Sequence, residues 1–244
     1  MNGGDGPHGA GFEGARLVRS GDPEKGRDMS NGLDGLNRLG GISFIASGAL
    51  FLVTSVLDLV TGPPPSGGAE ILAWMASHEL LMAFTPEVLF FAAMFLVPAV
   101  IALHQSLAIT HPRSAAVGCG IVAVTIPVLN VLLIVFGRLV YPVYRLKVHT
   151  PEAAELVVGL YYGGLHAVLL LFAVATLVLS LAMRRTGFGR RVAYLGFAAA
   201  GLDVVASYPW LIGPALGLVC GLFFSAWLVA VGLGLQRLPA ARPS

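Results

Sequence analysis

The chain has 244 residues, 56% hydrophobic and only 11% charged, with a formal net charge of +2. That charge content is under half the roughly 25% usual in soluble domains, and so small a positive excess argues against nucleic acid as a partner. Apolar runs of about twenty residues recur, while the alternating strands of about ten residues that build a membrane barrel are absent; the fold class is therefore all-α, a polytopic membrane protein.

Residues 1–38 are rich in Gly and Asp, lack an apolar run and read as a disordered cytoplasmic tail. Met29 opens the tidier stretch MSNGLDGLNRLGG and offers an alternative start. The six-helix transmembrane domain is expected over 39–237, with a short cytoplasmic tail at 238–244. Helix 1 is expected from Gly41 to Val60, stopped by Gly62 and Pro63 to Pro65. After a loop, helix 2 runs from His78 to Leu107 and carries Glu87 beside Pro86 inside its apolar run. Helix 3 covers Ala115 to Leu139, with Pro127 as a kink. Helix 4 covers Ala153 to Met183, with Thr150 as N-cap and Pro151 in the first turn. Helix 5 covers Val192 to Tyr208, and helix 6 covers Leu211 to Leu235. The halves show no internal repeat of the kind many transporters carry.

With the N-terminus inside, the inner segments hold Arg16, Arg19, Lys25, Arg27, Arg38, Arg113, Arg184, Arg185, Arg190, Arg191, Arg237 and Arg242. The outer ones hold Arg138, Arg145 and Lys147. The positive-inside bias predicts both termini cytoplasmic and a multi-pass protein of the inner (plasma) membrane.

An ionisable side chain at mid-membrane costs at least about 2.5 kcal/mol and usually marks a polar interior site. This topology sets Asp58, Glu87, Asn130, Tyr162, His166, Asp203 and Ser207 in or near the outer half, with few polar groups in the inner half. Helical spacing puts Ser47, Phe51, Thr54 and Asp58 on one face, and Gly196, Ala200, Asp203 and Ser207 on another. Glu155, Tyr162 and His166 share a face of helix 4, as Asn130, Gly137 and Tyr141 do on helix 3. These faces are expected to converge. Glu87, Asp203, Tyr162 and His166 are then the candidate acid/base residues, and Asp58, Asn130, Tyr141, Ser207 and Trp210 would contact a substrate. Each has a structural alternative: a helix-end carboxylate for Asp58, an internal hydrogen bond or an ion pair with Arg138 for Glu87, local partners for Asp203, a core pair with Tyr162 for His166. No metal or cofactor is expected, since the His and Cys residues form no ligand framework, and His104 and His166 differ too much in depth for a haem pair. Gly217, Gly221 and Ser225 form a small-residue stripe suited to close packing within the bundle or to a homo-oligomer.

The phrases ASGALFLVTSVL, ILAWMASHELLMAFTPEVLFFAAMFLVPAVIALHQSL and FGRRVAYLGFAAAG resemble an uncharacterised bacterial family of six-helix membrane proteins, domain of unknown function 4386. The resemblance covers residues 36–238 and implies a six-helix bundle; it carries no catalytic residues. Three functions are compatible with the chain. One is a metal-independent, membrane-embedded enzyme doing acid/base chemistry on a lipophilic small molecule, of the kind small terpene cyclases perform. Another is a non-catalytic accessory or lipid-binding protein. The third is a small proton-coupled transporter, which the apolar inner half disfavours.

Overall fold

The computed structural model describes residues 23–238, with side chains from residue 34 onward. Among the described residues the chain forms seven helices: α1 (Pro23–Thr61), α2 (Gly68–Ser77), α3 (Glu79–Ala108), α4 (Pro112–Val140), α5 (Pro151–Met183), α6 (Arg190–Ala206) and α7 (Pro209–Arg237). Five of them, α1 over Asp34–Thr61 together with α3, α4, α5 and α7, are long and apolar enough to cross a bilayer. The chain is a multi-pass membrane protein. The fifth expected helix is present as α6, but its 17 residues rise only about 26 Å, short of a hydrocarbon core of about 30 Å.

Most expected boundaries lie within a few residues of the observed ones, and three features differ. The tail expected over 1–38 lies outside the described residues at 1–22, but the chain is helical from Pro23. The segment before α3 is a helix rather than a loop. In α2, Gly68, Ile71 and Met75 are buried, a stripe at helical spacing that packs against α5 and α3. The Gly68 amide donates to Glu155 Oε1 at 2.8 Å, and Trp74 Nε1 donates to the Thr61 carbonyl at 3.0 Å, so Glu155 serves this joint and not an interior site. The last helix begins at Pro209 and is broken at Gly213, whose φ of 68° is available to glycine at little cost. Thr150 caps α5 as expected, its hydroxyl accepting from the Ala153 amide at 3.4 Å.

The helices pack in chain order around a closed ring: α1 on α3, α3 on α4, α4 on α5, α5 on α6, α6 on α7 and α7 back on α1. Small residues make the closing seam. A Cβ at Gly48 would lie 2.8 Å from the Ser225 carbonyl oxygen, one at Gly41 would lie 2.7 Å from that of Gly232, and one at Gly221 would collide with Ser55 Oγ. Ser47, beside this seam on α1, donates to the Ala92 carbonyl on α3 at 2.8 Å. The Gly221 and Ser225 part of the stripe is thus occupied by α1 of the same chain, and the homo-oligomer through it finds no free face there.

Overpacking a close helix contact costs about 1–3 kcal/mol. Gly48→Leu is expected to lower thermal stability in detergent by that amount. Gly120→Leu, at a position with open space around it, is expected to change stability by less than about 0.5 kcal/mol. Thermal unfolding of the two variants checks the pair.

Candidate functional site

The ring encloses a cavity of about 540 Å³ at the end of the bundle away from the described termini. Its rim is set by irregular backbone: Gly62, Pro63 and Pro64 after α1, and Pro209, Gly213 and Pro214 in the broken start of α7. The floor is aromatic. Phe51, Phe172 and Phe224 meet with ring centroids 5.3–6.2 Å apart in edge-on and tilted geometry. Phe51 lies eleven residues before Gly62, so the cavity reaches about 16 Å along α1.

Two carboxylates face this apolar space. Asp58 of α1 lines it and is accessible to it. Asp203 of α6 also lines it, yet is only 3% exposed, and its Oδ2 is buried with no hydrogen-bond partner among the described residues. Among the described residues the ion pair present joins Lys147 Nζ to exposed Glu79 Oε1 at 3.5 Å, so neither Asp58 nor Asp203 has a cationic partner. Tyr161 and Tyr162 line the same wall of α5, within electrostatic reach of Asp58. The local sequence accounts for these positions: Phe51, Thr54 and Asp58 recur at helical spacing and all face the cavity, and Gly196, Ala200, Asp203 and Ser207 form the buried face of α6.

The other candidates lie elsewhere. Glu87 is exposed and outside the cavity. The buried residues of this part of α3 are Met82, Thr85, Pro86, Val88, Leu89, Ala92, Ala93 and Leu96, and Glu87, about 160° around the helix from Thr85 and Leu89, is exposed between Pro86 and Val88. The expectation that Glu87 shares an interior with Asp203 is therefore corrected. The Tyr141 hydroxyl lies 2.7 Å from the Ala83 carbonyl oxygen and 3.1 Å from Glu87 Oε1. Desolvation, then the neighbouring Glu87, raises the Tyr141 phenol above its ordinary range, keeping it protonated, with its one hydrogen shared between the two acceptors. Arg138 donates instead to the Leu146 carbonyl at 2.8 Å and makes no pair with Glu87. With 30 residues, α3 is about 45 Å long, so Glu87 sits about 12 Å from its start, near the boundary of the hydrocarbon.

His166 points away from the cavity lining. Its Nδ1 donates to the Ser207 carbonyl at 2.7 Å, and its ring lies 4.8 Å from Tyr208 and 5.8 Å from Trp210. It steadies the α6–α7 turn and does not pair with Tyr162. Ser207 is buried, and its hydroxyl donates to the Val204 carbonyl at 2.7 Å. Asn130 is half-buried with Oδ1 unpartnered among the described residues, and it does not reach the cavity. Trp210 does line it. Sequence reasoning passed over Tyr161, Phe172, Phe224 and Gly217 as site residues. Apolar and small residues on uniformly apolar helices carry no signal that would single them out. The half of the bundle toward the described termini is also more polar than expected: Thr176, Ser180 and Ser225 are buried there, with Ser180 Oγ, Ser225 Oγ and Trp227 Nε1 unpartnered among the described residues.

No metal-ligating cluster of three His, Cys, Asp or Glu occurs among the described residues. A scan against protein-family models, a search of curated proteins and a search of solved structures each returned no match. The family resemblance therefore rests on the quoted sequence phrases alone.

A buried polar group without a partner costs about 1–3 kcal/mol. Replacing Asp203 by Leu is expected to raise thermal stability by about 1–2 kcal/mol, because the carboxylate is held at a cost to the fold. A marked loss of stability would instead assign Asp203 a structural role.

Proposed function

We propose that this membrane protein takes a lipophilic small molecule into the cavity ringed by α1, α5, α6 and α7. One observation carries the reading: a roomy, largely apolar and aromatic cavity whose charged lining groups are Asp58 and Asp203. A volume of about 540 Å³ falls in the range of small-molecule sites, about 300–1,000 Å³. The short α6 and the broken start of α7 leave the rim low against its longer neighbours, which suits entry of a ligand already dissolved in the bilayer. The aromatic floor separates the cavity from the other end of the bundle, which favours binding or chemistry over transport.

A second reading adds acid/base chemistry on the bound molecule. It is favoured by the unpartnered Asp203 carboxyl sharing one cavity with Asp58, an arrangement in which one group can give a proton and the other take one. Cyclisation or isomerisation of an isoprenoid-like substrate, with aromatic faces sheltering a developing cation, is the chemistry such a lining suits. Glu87 and His166 have no part in it. The membrane orientation proposed with both readings has α6 completing a sixth crossing and both termini in the cytoplasm of the inner membrane, following the Lys and Arg bias.

Native mass spectrometry of the purified protein is expected to show a co-purifying small molecule that is lost in Gly217→Trp, which fills open space in the cavity, and retained in Glu87→Gln. Retention in the filled variant would refute the site. On the second reading, lipid extracts of expressing cells contain a product that Asp203→Asn lowers at least about 100-fold. For orientation, cysteine at Arg145 is expected to label with an impermeant thiol reagent applied to intact cells, and cysteine at Arg185 is not. The native Cys119 and Cys220 are buried and give little background.

A further inference from the structure

Resting on the reading of the cavity as a lipophilic site, we infer that its ligand carries a positive charge: the cavity is built for an apolar organic cation, a protonated amine or quaternary ammonium on a hydrocarbon body. Three features of the lining point the same way.

The first is charge. Asp58 and Asp203 line the cavity and no Lys, Arg or His does. Charged groups inside a membrane protein are ordinarily paired with one another or with a backbone dipole. Here the one ion pair among the described residues lies elsewhere, between Lys147 and Glu79. Nothing on the lining compensates the two acids, and a ligand cation would do so. The second is the shape of the deficit. Asp203 lines the cavity, is 97% removed from solvent, and has an Oδ2 with no hydrogen-bond partner among the described residues, so its carboxyl keeps unmet hydrogen-bonding capacity beside the cavity. An ammonium N–H supplies a charge-assisted bond there, the stronger kind.

The third is the aromatic wall. Tyr161 and Tyr162 stand near Asp58, Trp210 lines the same cavity, and Phe51, Phe172 and Phe224 close the floor. Ring faces attract a cation, and their pull grows where water is excluded. The same faces give a hydrocarbon body its contact area, so the head and the tail of one molecule are served by one lining. An inorganic cation fits poorly, because a hard ion asks for six or more oxygen ligands and this wall is mostly carbon. A carboxylate would add negative charge to a lining that holds two acids and no Lys, Arg or His.

The test uses three probes that share one skeleton and differ in the head: geranylamine, geraniol and geranic acid. Binding to the purified full chain in nanodiscs is read by quenching of tryptophan fluorescence, with Glu87→Gln as a control outside the cavity. Geranylamine is expected to bind at least 10-fold more tightly than geraniol, and geranic acid more weakly than either. Asp203→Asn and Asp58→Asn should each collapse the amine preference about 10-fold, Asp203→Glu should restore much of it, and Glu87→Gln should leave it unchanged. Size-exclusion profiles confirm that the variants fold. If geraniol binds as tightly as geranylamine, the cation proposal fails while the lipophilic site stands. If an amine preference survives both Asp variants, the signal comes from the lipid and the proposal fails. If no probe binds, the lipophilic site and the cation proposal fall together.

Discussion

Closure of the ring depends on how near α7 can come to α1. Gly41, Gly48 and Ser55 on one helix face Gly232, Ser225 and Gly221 on the other, and the separations leave no room for a Cβ at Gly41, Gly48 or Gly232. In a bilayer the hydrophobic effect does not drive helices together, so contact area gained by close approach carries more of the work. The seam brings the first and last spanning helices together and so makes a chain-ordered row of helices into an enclosure. An interior exists because these small residues let it close.

What keeps that interior from filling is the mismatch of lengths. At 17 residues, α6 stops well short of its 33-residue and 29-residue neighbours α5 and α7. The chain turns at Ser207 and Tyr208, where His166 holds the Ser207 carbonyl, and α7 starts with a turn of helix that breaks at Gly213. Side chains that would have packed against a longer α6 border open space instead. Below that level the rings of Phe51, Phe172 and Phe224 restore close packing, and the cavity ends.

Into this space the chain puts two acids that the fold does not need for its own hydrogen bonding. Several buried polar groups find partners within the bundle: Ser47 bonds Ala92, Thr125 bonds Ile121 and Ser207 bonds Val204. Asp203 has an oxygen that does not. Asn130, Ser180, Ser225 and Trp227 also bury an atom without a partner among the described residues, and what sets Asp203 apart from them is that it lines the cavity.

Composition and run length alone determined that this is an all-helical membrane protein, because a bilayer admits little else for chains of long apolar runs. They placed most helix boundaries within a few residues, since prolines, glycines and the Thr150 cap mark them locally. Helical spacing also grouped Phe51, Thr54 and Asp58, and Gly196 with Asp203, correctly onto shared faces. Which way a face points was decided only by the tertiary structure. On α3, apolar residues surround the helix on every side, so nothing local told that Glu87 is turned outward and meets Tyr141 outside the cavity. Likewise His166 is on the cavity-lining helix but is turned to the α6–α7 connection. The amphipathic α2, the break at Gly213 and the cavity itself arise from packing between segments far apart in the chain, and a linear pattern holds no record of them.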